Sequence, residues 1–298
     1  MNSIYLPLYG DLATSKITKY ISPRISGLEI CSINDNQALE EIKEFSIRSD
    51  LIVGIHYPLF ANRPKGPMLL SSDKTITDSH WRILEDDIKE AAHLNAQYFL
   101  IHVPKPVLVN RNIDLQYWRF SDKKDWQFSD QYMHLKSTLC ANIEIFFSML
   151  SKLSKKYNIK IYLENDLIST NLDLQNILCS MLEKYNQIKL CLDIGRLHLQ
   201  AALDVDFSIL QFIQLLGKCT RHVHLWNSSK VHNITGGHYP AIKRLDNIPG
   251  WADVAEILKA IKCQSDDFSV LLEHHLMLLK PAEAFLYYEY VQFMLEEK

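Results

Sequence analysis

The stretch Ile188-Lys189-Leu190-Cys191-Leu192-Asp193-Ile194-Gly195-Arg196-Leu197-His198 is an apolar run that ends in a carboxylate and a glycine and then takes up a helical pattern. It reads as a buried parallel strand with Asp193 at its C-terminal mouth, where α/β barrels keep their chemistry. The same punctuation recurs. His56 ends Leu51-Ile52-Val53-Gly54-Ile55, His102 closes Tyr98-Phe99-Leu100-Ile101, and Glu164 ends Ile159-Lys160-Ile161-Tyr162-Leu163. His222 and His224 close the run opened by Thr220, and Glu273 follows Ser269-Val270-Leu271-Leu272. One polar residue at a strand end is ordinary, whereas this many ends drawn only from His, Asp and Glu need a common cause. A divalent metal centre supplies one, because zinc, manganese and related ions take imidazole nitrogens and carboxylate oxygens from separate elements.

The elements that must position these residues can be read in order. Strands are expected at Ile4–Leu8, Ser26–Ile30, Leu51–His56, Gln97–Val103, Ile159–Glu164, Ile188–Asp193, Arg221–Leu225 and Phe268–Glu273. Helical spacing marks Asn36–Ser49, Ser79–Leu94 capped by Asp78, Asp130–Tyr157, Asn171–Tyr185, a segment beginning near Asp206, Trp251–Ile261 and Pro281–Leu295. In the last of these Ala284, Phe285, Tyr288, Val291 and Met294 form the inward face. Strand and helix alternate throughout, which predicts an α/β fold, a (β/α)8 TIM barrel formed by residues 1–298 as one domain. Two exits are long. The loop from Pro104 to Ser129 carries Lys105, Arg111, Arg119, Lys123 and Lys124 with Tyr117, Trp118, Phe120 and Trp126, and the loop from Trp226 to Gly250 is polar. A structureless insertion of that length in a compact domain is a lid or binding loop, or else its assignment as a loop is wrong, and the aromatic residues of the first serve either as anchors or as ligand contacts.

The 298 residues suit one barrel of roughly 250 residues with insertions. A formal charge of −3 gives no general electrostatic footprint for nucleic acid, which is therefore not an expected partner. The six cysteines, Cys31, Cys140, Cys179, Cys191, Cys219 and Cys263, show no CxxC or disulfide-framework spacing and several lie in apolar runs, so reduced thiols in a cytoplasmic protein are expected. No segment has the pattern of a secretion signal or the length of a membrane span.

With the elements in place, the chain resembles the xylose-isomerase-like TIM barrels, which include sugar and sugar-phosphate isomerases and epimerases and the metal-dependent apurinic-site endonucleases. The resemblance runs through almost the whole chain. It rests on Gly27-Leu28-Glu29-Ile30, Ile55-His56-Tyr57-Pro58, Ile101-His102, Leu163-Glu164-Asn165, Cys191-Leu192-Asp193-Ile194-Gly195, His222-Val223-His224-Leu225 and Leu272-Glu273. It implies a metal held by Glu164, Asp193, His224 and Glu273, with His56 and His102 near the substrate or a second ion. The residues support that set independently: three carboxylates converging without a cation would repel one another and raise their pKa values. His222 and His224 are two apart on a strand and face one side, so one can ligate while the other supports or contacts substrate. Glu29, in a strand interior, is either a paired structural carboxylate or a catalytic one. His274 and His275 compete for places near the eighth mouth, and His198 reads as a packing or capping residue.

Arg196 departs from the pattern, since many relatives have histidine three positions after the strand-six aspartate. Arginine is no ordinary metal ligand. It is expected either to bind a substrate phosphate or carboxylate through two N–H groups or to pair with a neighbouring acid. His238, in Gly236-Gly237-His238-Tyr239-Pro240, is a further candidate substrate contact. The function these readings imply is an isomerase or epimerase acting on a sugar, sugar phosphate or related polyhydroxy carbonyl compound through an enediolate-like intermediate, with Glu164 and Glu273 as catalytic carboxylates. Manganese or zinc is the expected cofactor, with magnesium or cobalt as alternatives. A small carbohydrate or phosphorylated compound is the expected partner, no membrane is, and a homo-oligomer is left open. The other reading is a metal-dependent phosphodiesterase or apurinic-site endonuclease, or a noncatalytic metal-bound binding barrel.

Overall fold

Runs of Val, Ile, Leu and Tyr with both faces covered form buried parallel strands, because each side chain direction meets a packed layer. In the computed structural model, which describes residues 2–10, 14–105, 107–118, 126–128 and 132–296, β1 (Ile4–Tyr9), β2 (Ile25–Cys31), β3 (Ile52–His56) and β4 (Tyr98–His102) begin a barrel. Two short strands, β5 (Val107–Val109) and β6 (Trp126–Phe128), pair with each other in parallel outside it. The barrel resumes with β7 (Lys160–Glu164), β8 (Ile188–Asp193) and β9 (Thr220–His224), and closes with β12 (Ser269–Leu271) after the antiparallel pair β10 (Asn227–Ser229) and β11 (Ile234–Tyr239). Its order around the ring is β1-β2-β3-β4-β7-β8-β9-β12, all eight strands parallel, so the chain is a (β/α)8 TIM barrel.

The helices between strands are α1 (Thr14–Ile17), α2 (Asn36–Arg48), α3 (Lys74–His93), α4 (Tyr132–Tyr157), α5 (Leu172–Lys184), α6 (Ile194–Leu203), α7 (Ile209–Leu216), α8 (Val254–Gln264) and α9 (Pro281–Glu296). Period two along each strand sends alternate residues outward to these helices and inward to the lumen. The lumen is aromatic: Tyr5, Tyr98, Leu100, Tyr162, Cys191 and Leu271 cluster there. Room for the tyrosines comes from glycine. A Cβ on Gly54 would sit 2.2 Å from Tyr98 Cζ, and one on Gly27 would sit 2.4 Å from Tyr5 Cε1.

Several boundaries differ from the sequence reading. Helix α3 starts at Lys74, capped by the Asp73 carboxylate, which accepts from the amides of Thr75 and Ile76; Asp78 lies inside it. Helix α6 follows β8 at once, and Asp193 is its cap. On α9 Phe285 is exposed, and Tyr287 is buried with Ala284, Tyr288, Val291 and Met294. The loop after β4 contains β5, β6 and the helical turn Leu115–Tyr117; Arg119, Phe120, Lys123 and Lys124 lie outside the described residues. The polar stretch after β9 is the β10–β11 pair, so it is a hairpin and not an irregular loop. All six cysteines are free thiols, Cys191 and Cys219 buried and Cys263 exposed. Among the described residues no helix is long and apolar enough to cross a membrane.

One buried acid away from the mouth carries a pH prediction. Helix α3 packs Trp81, Leu84, Ile88 and Ala91 against the barrel and brings Asp87 with them. Its carboxylate accepts the Leu59 amide at 3.1 Å and lies 3.5 Å from Arg63 Nε. Burial outweighs both and pushes the Asp87 pKa from 3.8 up to about 6. A folded value above the unfolded one means that the group's contribution to stability is fully present below about 3.8 and is lost as pH rises through about 6. Ionised Asp87 therefore costs the fold roughly 2–3 kcal/mol at pH 8. Asp87→Asn keeps an acceptor for Leu59. We expect its stability relative to wild type to rise by roughly that amount between pH 4 and pH 8 in urea unfolding; parallel pH profiles would refute the burial argument.

Candidate metal centre

The strand register assembles the site. His102 of β4 lies beside Glu164 of β7, and Asp193 of β8 lies beside His224 of β9. Glu273 follows β12, whose Leu271 is the register partner of His224. His102, Glu164, Asp193 and His224 end their strands on the lumen side and Glu273 lies two residues past its own, so the shear of the barrel gathers them at one mouth. Glu164, Asp193, His224 and Glu273 are all buried, and one donor atom from each lies within 4.8 Å of the others. His224 Nδ1 is 3.2 Å from Glu273 Oε2 and 3.7 Å from Glu164 Oε1.

These atoms fit an ion on a specific ground. Glu164 Oε1, His224 Nδ1 and Glu273 Oε2 are buried without a hydrogen bond, although buried polar atoms nearly always have one. His224 Nδ1 lies between the other two, and Glu164 Oε1 also meets Arg196 Nε at 3.0 Å; a shared cation would satisfy all three atoms. Of the three carboxylates only Asp193 is raised: burial, with Glu273 and Glu164 adding repulsion, pushes it up to about 7 against the pull of Arg196. Burial is outweighed at Glu164 by His102, Arg196 and His224, which hold it well below the carboxylate range, and at Glu273 by His224 and His238, which bring it down to about 2. The set of three carboxylates and one imidazole suits manganese or zinc, and also magnesium or cobalt.

A second set of donors overlaps the first. His56 Nε2 and His102 Nε2 stand 2.8 and 3.0 Å from Glu164 Oε2. These two histidines and Glu164 form another buried trio with metal-compatible spacing. The outer nitrogens are fixed, His56 Nδ1 by the Tyr57 carbonyl at 2.6 Å and His102 Nδ1 by Asp166 at 3.4 Å.

Arg196 lies within the cluster, 3% exposed. Its Nε is 2.7 Å from Asp193 Oδ2 and 3.0 Å from Glu164 Oε1, and its Nη1 is 3.2 Å from Asp166 Oδ1. The Nε–H is directed at Asp193, so the contact with Glu164 is an ion pair without a hydrogen bond. Of the two roles open to Arg196 in the sequence, the structure shows pairing with neighbouring acids. Gly195 beside it is required for packing, since a Cβ there would sit 2.2 Å from Trp226 Cε2. Trp226 in turn carries His238, with ring centroids 4.4 Å apart, and sets His238 Nε2 3.6 Å from Glu273 Oε1.

His222 is not brought to the mouth. It lies one layer deeper, hydrogen-bonded to Glu29 at 3.1 Å and Ser269 at 2.6 Å. Glu29 is the paired carboxylate of that layer, meeting Tyr9 at 2.6 Å, Tyr98 at 2.8 Å and His224 Nε2 at 3.3 Å. Burial raises its pKa, but His224 and His222 more than offset this and hold it well below the carboxylate range. His198 packs near the mouth, 3.4 Å from the Gly250 carbonyl.

Above the four-donor cluster opens a cavity of about 330 Å³ lined by Pro7, Tyr9, Lys16, His238, Glu273 and His274, among others. Glu273 lines it, and Glu164 does not. Two further residues join the site, Asp166, which the sequence reading did not single out, and His274, one of the two histidines it placed near the eighth mouth. Asp166 holds His102, Arg196 and, through the Trp118 indole at 2.8 Å, the long loop after β4. The alternation Glu164-Asn165-Asp166 puts it on the lumen side, a signal available by extending the strand period two residues past its end. His274 is 2% exposed with both ring nitrogens lacking a hydrogen-bond partner.

No family model matches the sequence, and no curated protein is a significant match to it. Solved structures match it along their full length. A D-tagatose 3-epimerase-like protein is 16% identical with a TM-score of 0.63, over 99% of this chain and 97% of its own. D-Psicose 3-epimerase from Clostridium cellulolyticum, solved with D-tagatose, is 15% identical with a TM-score of 0.58 over 100% of both chains. Endonuclease IV from Thermus thermophilus is 13% identical with a TM-score of 0.52, over 99% of this chain and 100% of its own. At these identities the likeness is one of fold: the chain shares the TIM-barrel fold of these proteins.

Proposed function

We propose that this barrel is a divalent-metal-dependent isomerase or epimerase of a sugar, sugar phosphate or related polyhydroxy carbonyl compound. The observation that carries the reading is the convergence of Glu164 Oε1, His224 Nδ1 and Glu273 Oε2, none of them hydrogen-bonded, beneath a cavity of about 330 Å³. That volume is at the small end of ligand sites and suits a monosaccharide. An ion held by Glu164, Asp193, His224 and Glu273 would supply Lewis acidity at a carbonyl and its adjacent hydroxyl. The sugar epimerases among the similar folds support the substrate class.

The chain's own residues divide the remaining work. Glu273 reaches the cavity and is the carboxylate that takes a proton from one carbon and delivers it to the neighbouring one; His238 Nε2, 3.6 Å from its Oε1, steadies the carboxylate charge before the first transfer and after the second. Glu164 is fully buried, with Oε2 engaged by His56 and His102, so its role is to hold charge and donors in place. His56 and His102 are tied to Glu164 and do not line the cavity, and we assign substrate contact to the polar groups that do, His238, His274 and Lys16. A phosphodiesterase is the second reading, favoured by the overlapping trio of His56, His102 and Glu164, since phosphoester hydrolysis often employs paired ions.

The two readings separate in deuterated water. Manganese-loaded and zinc-loaded protein is incubated with a panel of free and phosphorylated ketoses and aldoses, followed by NMR, beside an abasic-DNA cleavage assay. Removal of a carbon-bound proton exchanges it with solvent deuterium, and phosphodiester hydrolysis has no such step. We expect exchange at the carbon next to the carbonyl of at least one sugar, reduced at least about 100-fold in Glu273→Gln, and no cleavage. Cleavage without exchange would reverse the order of the two readings.

A further inference from the structure

We propose that Arg196 is a resident counter-ion that keeps the carboxylate cluster of the mouth assembled without metal, so that the ion is an exchangeable ligand of a preformed barrel and not a structural one. The proposal goes beyond the reaction proposed above. Its metal arm rests on that reading, while its counter-charge arm rests on geometry alone.

Glu164, Asp193, Asp166 and Glu273 crowd one buried mouth. Were a metal the only cation among them, its removal would leave buried carboxylates facing one another, and the mouth would loosen. The Arg196 guanidinium meets three of the four: Asp193 and Glu164 through Nε, and Asp166 through Nη1. Its charge is permanent, because guanidinium does not lose its proton in proteins. The side chain is also held from both ends. Asp193 Oδ1 accepts the Arg196 backbone amide at 2.9 Å as the cap of α6, while Asp193 Oδ2 accepts its Nε at 2.7 Å. The helix start and the ion pair thus share one carboxylate, which the cap holds in the position where its second oxygen meets the guanidinium.

The pairing has a cost for the metal. Asp193 is the one member of the four-donor set whose two oxygens both accept hydrogen bonds, whereas Glu164, His224 and Glu273 each keep a donor atom without one. An incoming ion competes with Arg196 for Asp193. Removing the guanidinium should therefore act in opposite directions on two measurements, lowering stability without metal and raising metal affinity. A side chain that only fills space would not produce that pair of effects.

The test uses full-length wild type, Arg196→Met and Arg196→Lys, each purified in manganese to ensure folding and then dialysed against chelator. Thermal unfolding is followed with and without Mn²⁺ or Zn²⁺, and metal affinity is measured by calorimetry. Wild type should keep its melting temperature in chelator to within a few degrees. Arg196→Met should fall by roughly 10 °C in chelator and recover most of that with metal, while binding Mn²⁺ about tenfold tighter. Arg196→Lys, which keeps the charge, should lose less. Arg196→Met as stable as wild type in chelator would overturn the proposal, and so would a loss that metal does not restore in a variant that still binds it. A wild type that takes up no ion, with Arg196→Met still destabilised and Arg196→Lys not, would support the counter-ion role and count against the metal reading instead.

Discussion

Glu29→Gln is expected to weaken divalent-metal binding by roughly 10- to 100-fold, although Glu29 belongs to the layer beneath the four proposed ligands. The carboxylate accepts hydrogen bonds and donates none, so His224 Nε2, 3.3 Å away, must carry the proton of that ring. That choice leaves the Nδ1 lone pair at the mouth, 3.2 Å from Glu273 Oε2. Glutamine offers an NH2 group as well as an oxygen, and either can face the ring, so the tautomer is no longer dictated. The substitution also disturbs a closed network, because Tyr9, Tyr98 and His222 all use the same carboxylate. A loss of about 2–4 kcal/mol in urea unfolding should accompany the weaker binding. Metal titration by calorimetry gives the affinity, and nitrogen-detected NMR of the imidazoles gives the tautomer. An affinity within twofold of wild type, with the Nε2 proton retained, would remove Glu29 from any part in positioning His224.

The mouth was legible in the sequence to the extent that strand period two governs it. His56, His102, Glu164, Asp193 and His224 are the last residues of their strands, and Glu273 is two residues beyond β12, so apolar runs ending in donors pointed to them directly. Asp166 was missed because the apolar run had already stopped at Glu164, although the lumen-facing alternation continues one step into the loop. Gly195 reads as a breaker after Asp193, yet α6 begins at Ile194 and the glycine is there to admit Trp226. Similarly, Thr75-Ile76-Thr77 disfavours a helix locally, and α3 still starts before it because Asp73 caps that turn and the helix packs on the barrel. The partners of Arg196 could not be chosen from the sequence: a substrate anion and a buried acid ask for the same fork of N–H groups. The structure adds the pairing with Asp166 and Glu164.

Glu164→Gln is expected to have the largest effect on metal content, lowering affinity by more than about 100-fold, because this residue belongs to both overlapping donor sets. Its Oε1 faces His224 at 3.7 Å and its Oε2 faces His56 and His102 at 2.8 and 3.0 Å. Glutamine keeps the size but loses the charge and one acceptor, so neither set retains its shared carboxylate. Glu273→Gln differs in kind: it removes a donor only from the set of Glu164, Asp193, His224 and Glu273 and leaves His56, His102 and Glu164 intact. The two variants therefore distinguish one ion from two. With a single ion in the four-donor set, both substitutions should empty the protein, and metal counted after gel filtration should fall to background in each. If the trio also takes an ion, Glu273→Gln should retain about one ion per chain where Glu164→Gln retains none. Wild-type affinity and metal content in Glu164→Gln would defeat the assignment of both sets, since Glu164 is the carboxylate they share.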